Sequence, residues 1–286
     1  ELMVEEGENY VRVAAGDAVV VFGKSGRLGG YAYKGKHVFR ELPEPWFWRA
    51  VNDNDWGAGF HRIADVWRTN NRKPLGATVE EHADKLVVRG EFQIENAPSY
   101  YTQTYTFRAD GSLKVEVAWR KGSEALPEMP RFGMRMILPA DYKKFTYYGR
   151  GPWENYADRC ESSFLGRYEQ STDEQLFPYV RPQESGNKTD VRWLELTNER
   201  GVGIRVEGLQ PLSVSAMPYR SEDLDPGMTK KQMHYSDIEP RREVVLHVDL
   251  AQRGLGGDTS WGATPHDEYR LTADKYSYGY IIHPIY

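Results

Sequence analysis

The sequence contains one cysteine, Cys160, in 286 residues, so no disulfide can form within the chain. This fits a reducing compartment, and it equally fits a secreted protein that needs no disulfides. No run of 18 apolar residues occurs, so we expect no transmembrane helix. No signal-peptide pattern follows the first residue, Glu1, and the missing initiator methionine leads us to expect a fragment of a longer chain.

Neither sign of charge is in large excess. The 37 Lys and Arg residues nearly balance the 42 Asp and Glu residues, which leaves a net charge of -5. A chain of this charge gives no reason to expect nucleic acid or an anionic membrane as a partner. Hydrophobic residues make up 40% and charged residues 28%, which is typical of a chain that folds as a globule.

Aromatic residues are abundant, at 13% of the chain with 8 Trp and 19 Tyr. Sugar rings present apolar C–H faces that pack on aromatic rings, and Trp and Tyr keep a polar group for hydroxyls. The alternative interpretation is that a large β-sandwich needs many aromatic residues in its core.

Most of the chain shows the period-two alternation of half-buried strands. The predicted strands cover residues 10–14, 19–22, 86–89, 100–107, 113–119, 191–197, 202–206, 243–250, 268–271 and 276–282. Turns at 109–112 and 198–201 join two pairs of them as hairpins. We therefore predict an all-β fold, a large antiparallel β-sandwich of about 15 strands that occupies residues 1–286 as one domain.

One segment departs from this period. From Gly57 to Asn70, apolar residues recur at helical spacing and predict a short helix at one end of the sheets.

Four segments outside the clear strands are rich in Gly, Pro, charge and aromatics, and such loops usually carry functional sites. The first segment is Trp46–Gly57, with Asn52, Asp53, Asn54 and Asp55 in succession. Its oxygens resemble a calcium loop, but Ile63 stands at the twelfth position where an EF-hand needs Glu. A helix cap is the alternative, because Asp and Asn accept hydrogen bonds from first-turn amides.

The second and third segments carry carboxylates. In the second, Tyr147–Arg159, Arg159 either binds a ligand or holds the loop rigid by pairing with a carboxylate. The third, Phe177–Asn187, is stiffened by two prolines, and Glu184 is its candidate acid or base. The fourth, Gly254–Gly262, uses its glycines for tight turns and leaves Trp261 where a ligand could reach the ring.

Together the four segments resemble the last domain of multidomain β-galactosidases of glycoside hydrolase family 2, in order and separation. The resemblance covers the chain from about Val20 onward and is loose over residues 62–98. The matching motifs are Arg-Ala-x-x-Asp-Asn-Asp-x-Gly from Arg49, Gly-x-Gly-Pro-x-Glu-Asn-Tyr-x-Asp-Arg from Gly149, Pro-Tyr-Val-x-Pro-x-Glu-x-Gly from Pro178 and Gly-x-Gly-Gly-x-x-Ser-Trp from Gly254. Val51 stands where the family often has Pro, and Trp153 occupies a variable position.

The resemblance implies a supersandwich similar to galactose mutarotase, packed beside a TIM-barrel domain that carries both catalytic Glu residues of a retaining enzyme. It implies that Trp261 lines the aglycone side of that active site. Further substrate-binding candidates share the four segments: Asp258, Glu154, Asn155, Arg159 and Glu184. No catalytic or metal-binding residue is expected in this chain.

The partners that the resemblance implies are the TIM-barrel and other domains of the parent enzyme and a β-galactoside, with a homo-oligomer at full length. No cofactor is expected in this domain, whereas a divalent or sodium ion is left open for the full-length enzyme. Bacterial cytoplasm or periplasm is the expected compartment of the parent.

Two other functions are compatible with the sequence. An aldose 1-epimerase needs a general acid and a general base beside the sugar ring, typically His and Glu, and none of the seven His residues falls in the four segments. A carbohydrate-binding module needs an aromatic platform on an open sheet face, which a sequence does not reveal.

Overall fold

Strands form two antiparallel sheets in the computed structural model, which describes residues 1–286. The smaller sheet is a meander of five sequential strands. These are β1 (Leu2–Glu6), β2 (Tyr10–Ala15), β3 (Ala18–Gly23), β4 (Leu28–Tyr33) and β5 (Lys36–His37). Valines and other apolar residues alternate along β2 and β3, which buries one face of the meander.

The larger sheet has twelve strands. These are β6 (Glu41–Trp46), β7 (Arg72–Glu81), β8 (Lys85–Ile94), β9 (Ser99–Arg108), β10 (Leu113–Lys121), β11 (Arg131–Leu138), β12 (Lys144–Gly151), β13 (Phe164–Ser171), β14 (Lys188–Thr197), β15 (Gly203–Met217), β16 (Val244–Gln252) and β17 (Lys275–Ile285). Their main order is β13-β12-β14-β15-β17-β10-β9-β8-β7, and a branch runs from β15 through β16 and β11 to β6.

The helices are short. They are α1 (Asp53–Gly57), α2 (Phe60–Ile63) and α3 (Ser221–Leu224), with 3₁₀ turns at Asp65–Arg68, Thr172–Glu174, Tyr235–Asp237 and Asp267–Tyr269. None of the helices has the length and apolar character to cross a membrane.

One cluster of 51 buried apolar residues joins the two sheets. Phe22 of β3 packs on Tyr105 of β9 with ring centroids 5.6 Å apart, and Tyr31 of β4 meets Phe107 edge-on at 6.4 Å. These cross-sheet contacts make the molecule a sandwich. The predicted all-β, antiparallel fold is therefore confirmed, with seventeen strands rather than about 15.

Two local predictions differ from the structure. The strand expected at 268–271 is wrong: a 3₁₀ turn covers Asp267–Tyr269, and only Leu271 makes an isolated bridge, to Met129. The helix expected over 57–70 is interrupted at Gly59, where φ of +70° breaks the turn, so α1, α2 and a 3₁₀ turn follow one another.

Candidate functional site

The four motif segments lie together and are held to one another by side chains. The first contains α1, the second begins within β12 and continues beyond it, the third precedes β14 and the fourth follows β16. Asn52 caps α1, because its Oδ1 accepts from the amide of Asp55 at 2.8 Å while the Asp55 carboxylate accepts from the Asn52 amide at 3.3 Å. The helix-cap interpretation of the Asp/Asn run is therefore confirmed.

The buried anchor of this region is Asp55, which is 1% exposed. Its Oδ1 lies 2.9 Å from Nη2 of Arg49 and 3.0 Å from Nη1 of Arg253, and both arginines are buried as well. Nη2 of Arg49 also donates to the carbonyl of Gly254 at 3.0 Å. Asp55 thus joins the first segment to the start of the fourth, and it compensates two buried positive charges.

The fourth segment, Gly254–Gly262, is here called the tryptophan loop. Asp158 of the second segment accepts from the amides of Leu255 at 2.9 Å and Gly256 at 2.8 Å. Asn54 bridges the loop from the other side, since it donates to the Leu255 carbonyl at 3.2 Å and accepts from the Gly262 amide at 3.3 Å. The first and second segments therefore both hold the start of the tryptophan loop, and the first segment also holds its end.

Trp261 is 68% exposed on this loop. A Cβ added to Gly57 would lie 3.1 Å from Cδ2 of Trp261 and 2.9 Å from Cα of Gly262, so the loop approaches Gly57 closely. One edge of the indole thus rests on the backbone of the first segment, while most of the ring faces solvent. This arrangement presents a large apolar surface on a fixed support.

Asp258, on the same loop, is also exposed. Its carboxylate lies 2.8 Å from Nε2 of His266. The hydrogen bond from His266 lowers the pKa of Asp258, and the carboxylate in turn raises the pKa of His266.

Glu154 and Arg159 pair with each other. Nη2 of Arg159 lies 2.6 Å from Oε2 of Glu154, which also accepts from the hydroxyl of Tyr179 at 2.8 Å. The amide of Gly186 donates to Oε1 of Glu154 at 3.3 Å. The structure thus shows Arg159 paired with a carboxylate of its own segment, and Tyr179 and Gly186 of the third segment bond to the same carboxylate.

Asn155 and Glu184 lie inside the molecule, at 1% and 7% exposure. Asn155 accepts from the Thr189 amide at 2.9 Å and donates to the Trp153 carbonyl at 2.9 Å. Glu184 accepts from the Tyr156 hydroxyl at 3.1 Å. Of the six candidate residues, Trp261, Asp258 and Arg159 therefore reach the surface, whereas Glu154, Asn155 and Glu184 are largely enclosed and bonded.

Several buried charges were not among the candidates. Asp249 of β16 is fully buried and pairs with Arg131 at 2.8 Å, and burial raises the pKa of Asp249 to about 7. Lys188 is 3% exposed, and burial lowers its pKa to about 8. The sequence did offer a signal for Asp249, because it is a charged residue within the otherwise largely apolar strand Val244–Gln252.

The family model described as beta galactosidase small chain matches residues 14–282. The chain belongs to this family. A beta-galactosidase of Priestia megaterium is 34% identical over 99% of this chain, and one of Halalkalibacterium halodurans is 34% identical over 96%. The chain spans 27% of each of these two relatives.

A separate small subunit is also among the relatives. The beta-galactosidase small subunit of Latilactobacillus sakei is 28% identical, and the match covers 85% of this chain and 84% of that subunit. Among solved structures, a GalM/aldose epimerase homologue from C. elegans aligns over 97% of this chain and 99% of its own, with 9% identity and a TM-score of 0.43. A likeness of that size assigns no activity.

Proposed function

We propose that this chain is the aglycone-side part of a retaining β-galactosidase whose two catalytic Glu residues lie in a TIM barrel outside residues 1–286. The observation that carries the proposal is Trp261, 68% exposed on a loop whose start is held by Asp158 and Asn54 and whose end is held by Asn54. A fixed, exposed indole offers a sugar an apolar face without having to be ordered on binding. The names and lengths of the relatives support the same role.

The arrangement of the carboxylates supports placing the catalytic pair elsewhere. A retaining glycosidase needs two carboxyl groups about 5–5.5 Å apart that both reach the sugar. Asp55 and Asp249 are at most 1% exposed and bonded to arginines, and Glu184 is enclosed beside Tyr156. In our proposal this chain alone hydrolyses no β-galactoside, and it acts with the barrel, the other domains and a homo-oligomeric assembly of the parent enzyme. This domain needs no cofactor, and any divalent or sodium ion belongs to the full-length enzyme.

Replacing Trp261 with Ala in the full-length enzyme is expected to lower kcat/KM for lactose. Covering an aromatic side chain is worth about 1.5–3 kcal/mol, which corresponds to a loss of about tenfold to a hundredfold. Methyl β-galactoside, whose aglycone is too small to cover the indole, should lose much less.

Trp153→Ala is the matched control, because Trp153 is 70% exposed on the second segment and belongs to none of the proposed contacts. Its kcat/KM for lactose should match that of the unmodified enzyme. An unchanged kcat/KM in Trp261→Ala, or the same loss for lactose and methyl galactoside, would contradict the proposed aglycone contact.

A further inference from the structure

The tryptophan loop meets the end of α1 through two glycines. Gly57 is the last residue of α1, and Gly262 is the last residue of the loop. A Cβ on Gly57 would lie 2.9 Å from Cα of Gly262 and 3.1 Å from Cδ2 of Trp261, and a Cβ on Gly262 would lie 2.8 Å from the carbonyl carbon of Gly57. Real Cβ atoms essentially never come within 3.0 Å of another residue's heavy atoms, so the two backbones leave no room for a side chain between them.

The backbone conformation calls for glycine at only one of these two positions. Gly262 has a φ of +83°, which favours glycine whatever lies beside it. Gly57 is helical and its φ is not positive, and alanine is more favourable than glycine within a helix. The contact with Trp261 and Gly262, and not the conformation of α1, is therefore what calls for glycine at position 57.

Asn54 fastens the loop to the same side of α1. It lies three positions before Gly57, so the two residues share one face of the helix. Its Nδ2 donates to the carbonyl of Leu255 at 3.2 Å, and its Oδ1 accepts from the amide of Gly262 at 3.3 Å. The face of α1 that meets the loop thus consists of bare backbone at Gly57 and a side-chain amide at Asn54.

We infer that Gly57 and Asn54 are positioning residues that set the aglycone preference of the enzyme, because together they determine where the indole of Trp261 lies. The inference rests on the proposed function, in which that indole contacts the aglycone. A side chain at position 57 would push Trp261 and Gly262 away from α1. The displaced ring would then bind poorly to an aglycone large enough to cover it, whereas a small aglycone would not be affected.

The ratio of kcat/KM for lactose to kcat/KM for methyl β-galactoside, measured on the full-length enzyme, tests the inference. Gly57→Ala should lower this ratio by about tenfold, because a misplaced contact loses much of its effect in the transition state. Asn54→Ala adds no bulk but removes both hydrogen bonds to the loop, and it should lower the ratio in the same direction.

Two comparisons show whether the effect acts through the indole. Gly57→Ala combined with Trp261→Ala should have the same ratio as Trp261→Ala alone, since no indole is left to misplace. Gly76→Ala is the matched control, because a Cβ on Gly76 of β7 would meet nothing within 4 Å and its φ is not positive. Its ratio should equal that of the unmodified enzyme.

The inference is overturned if the ratio is unchanged in Gly57→Ala or in Asn54→Ala while Trp261→Ala lowers it, and the proposed aglycone contact then stands. Equal losses for both substrates in Gly57→Ala would show a general structural effect and also overturn it. A further fall of the ratio when Gly57→Ala is added to Trp261→Ala would show that Gly57 does not act through the indole. If Trp261→Ala itself leaves the ratio unchanged, the proposed function fails first and the inference fails with it.

Discussion

Asp55→Ala is expected to lower the free energy of unfolding by about 3–5 kcal/mol, because it leaves the buried guanidinium of Arg49 without its carboxylate and leaves buried Arg253 with Glu128 alone, at 3.3 Å. Arg49 and Arg253 are 1% and 2% exposed, and both lie within 3.0 Å of Asp55 Oδ1. The substitution also removes the side chain that bonds to the Asn52 amide at the start of α1. Urea unfolding followed by circular dichroism measures the loss.

Asp53→Ala is the control for this prediction. Asp53 lies two positions away in the same helix and pairs with Arg181 at 2.6 Å, but half of its side chain is exposed. Exposed ion pairs contribute about 0–1 kcal/mol, so this variant should stay near the unmodified chain. Equal losses in the two variants would show that burial of the Asp55 network does not control stability.

Asp249 is expected to make the chain less stable as the pH rises from about 4 to about 7. Its pKa is 3.8 when unfolded and is raised to about 7 in the folded chain, chiefly by burial, with Glu184 nearby opposing ionisation. Arg131 pairs with Asp249 at 2.8 Å, but it lies within 3.7 Å of Glu184 too, so its charge is shared.

The direction of this change in stability with pH follows from proton binding. Between these two pKa values the folded chain keeps the proton that the unfolded chain releases, so this group's contribution falls with pH and is fully lost above about 7. A shift of about three units corresponds to at most about 4 kcal/mol. Asp249→Asn cannot ionise, so its free energy of unfolding relative to the unmodified chain should rise across this range.

Urea unfolding of both chains at pH 4.5, 6 and 8 measures that difference. Other acids cancel in the comparison, among them Asp223 and Glu243, whose pKa values are lowered by arginines. A difference that stays constant with pH would mean that Asp249 ionises normally in the folded chain.

The alternation of apolar and polar residues predicted many of the strands, because successive side chains of a half-buried strand point alternately to the core and to solvent. The valines of β2 and β3 and the turn at Gly111, where φ is +85°, show this directly. Strand β7 was missed because all its residues after Arg72 are exposed, so no alternation marks it. The Glu268–Leu271 stretch looked like a strand, yet it has no neighbouring strand to pair with beyond one bridge.

The sequence does not show which partners a carboxylate meets in the folded chain, and this limited the prediction of site residues. The four motif segments, which were singled out from the sequence, lie together in the structure. Trp261 was expected to be accessible because glycines surround it, and it is 68% exposed. Whether Glu154 and Glu184 face a ligand or a neighbouring segment depends on partners such as Tyr179 and Tyr156, which come from other parts of the chain. Arg131 and Asp249 are 118 positions apart, so the residues around either one do not show that the two side chains pair.

Proton NMR of freshly dissolved α-lactose with this chain alone, and then with the remaining part of the enzyme added, tests the central claim most directly. The anomeric signals report hydrolysis and epimerisation in the same tube. We predict that the chain alone matches the uncatalysed control and that galactose appears only after the rest of the enzyme is added. Galactose released by the chain alone would contradict the account, because the catalytic carboxylates would then lie within these 286 residues. Accelerated epimerisation would instead point to an aldose 1-epimerase.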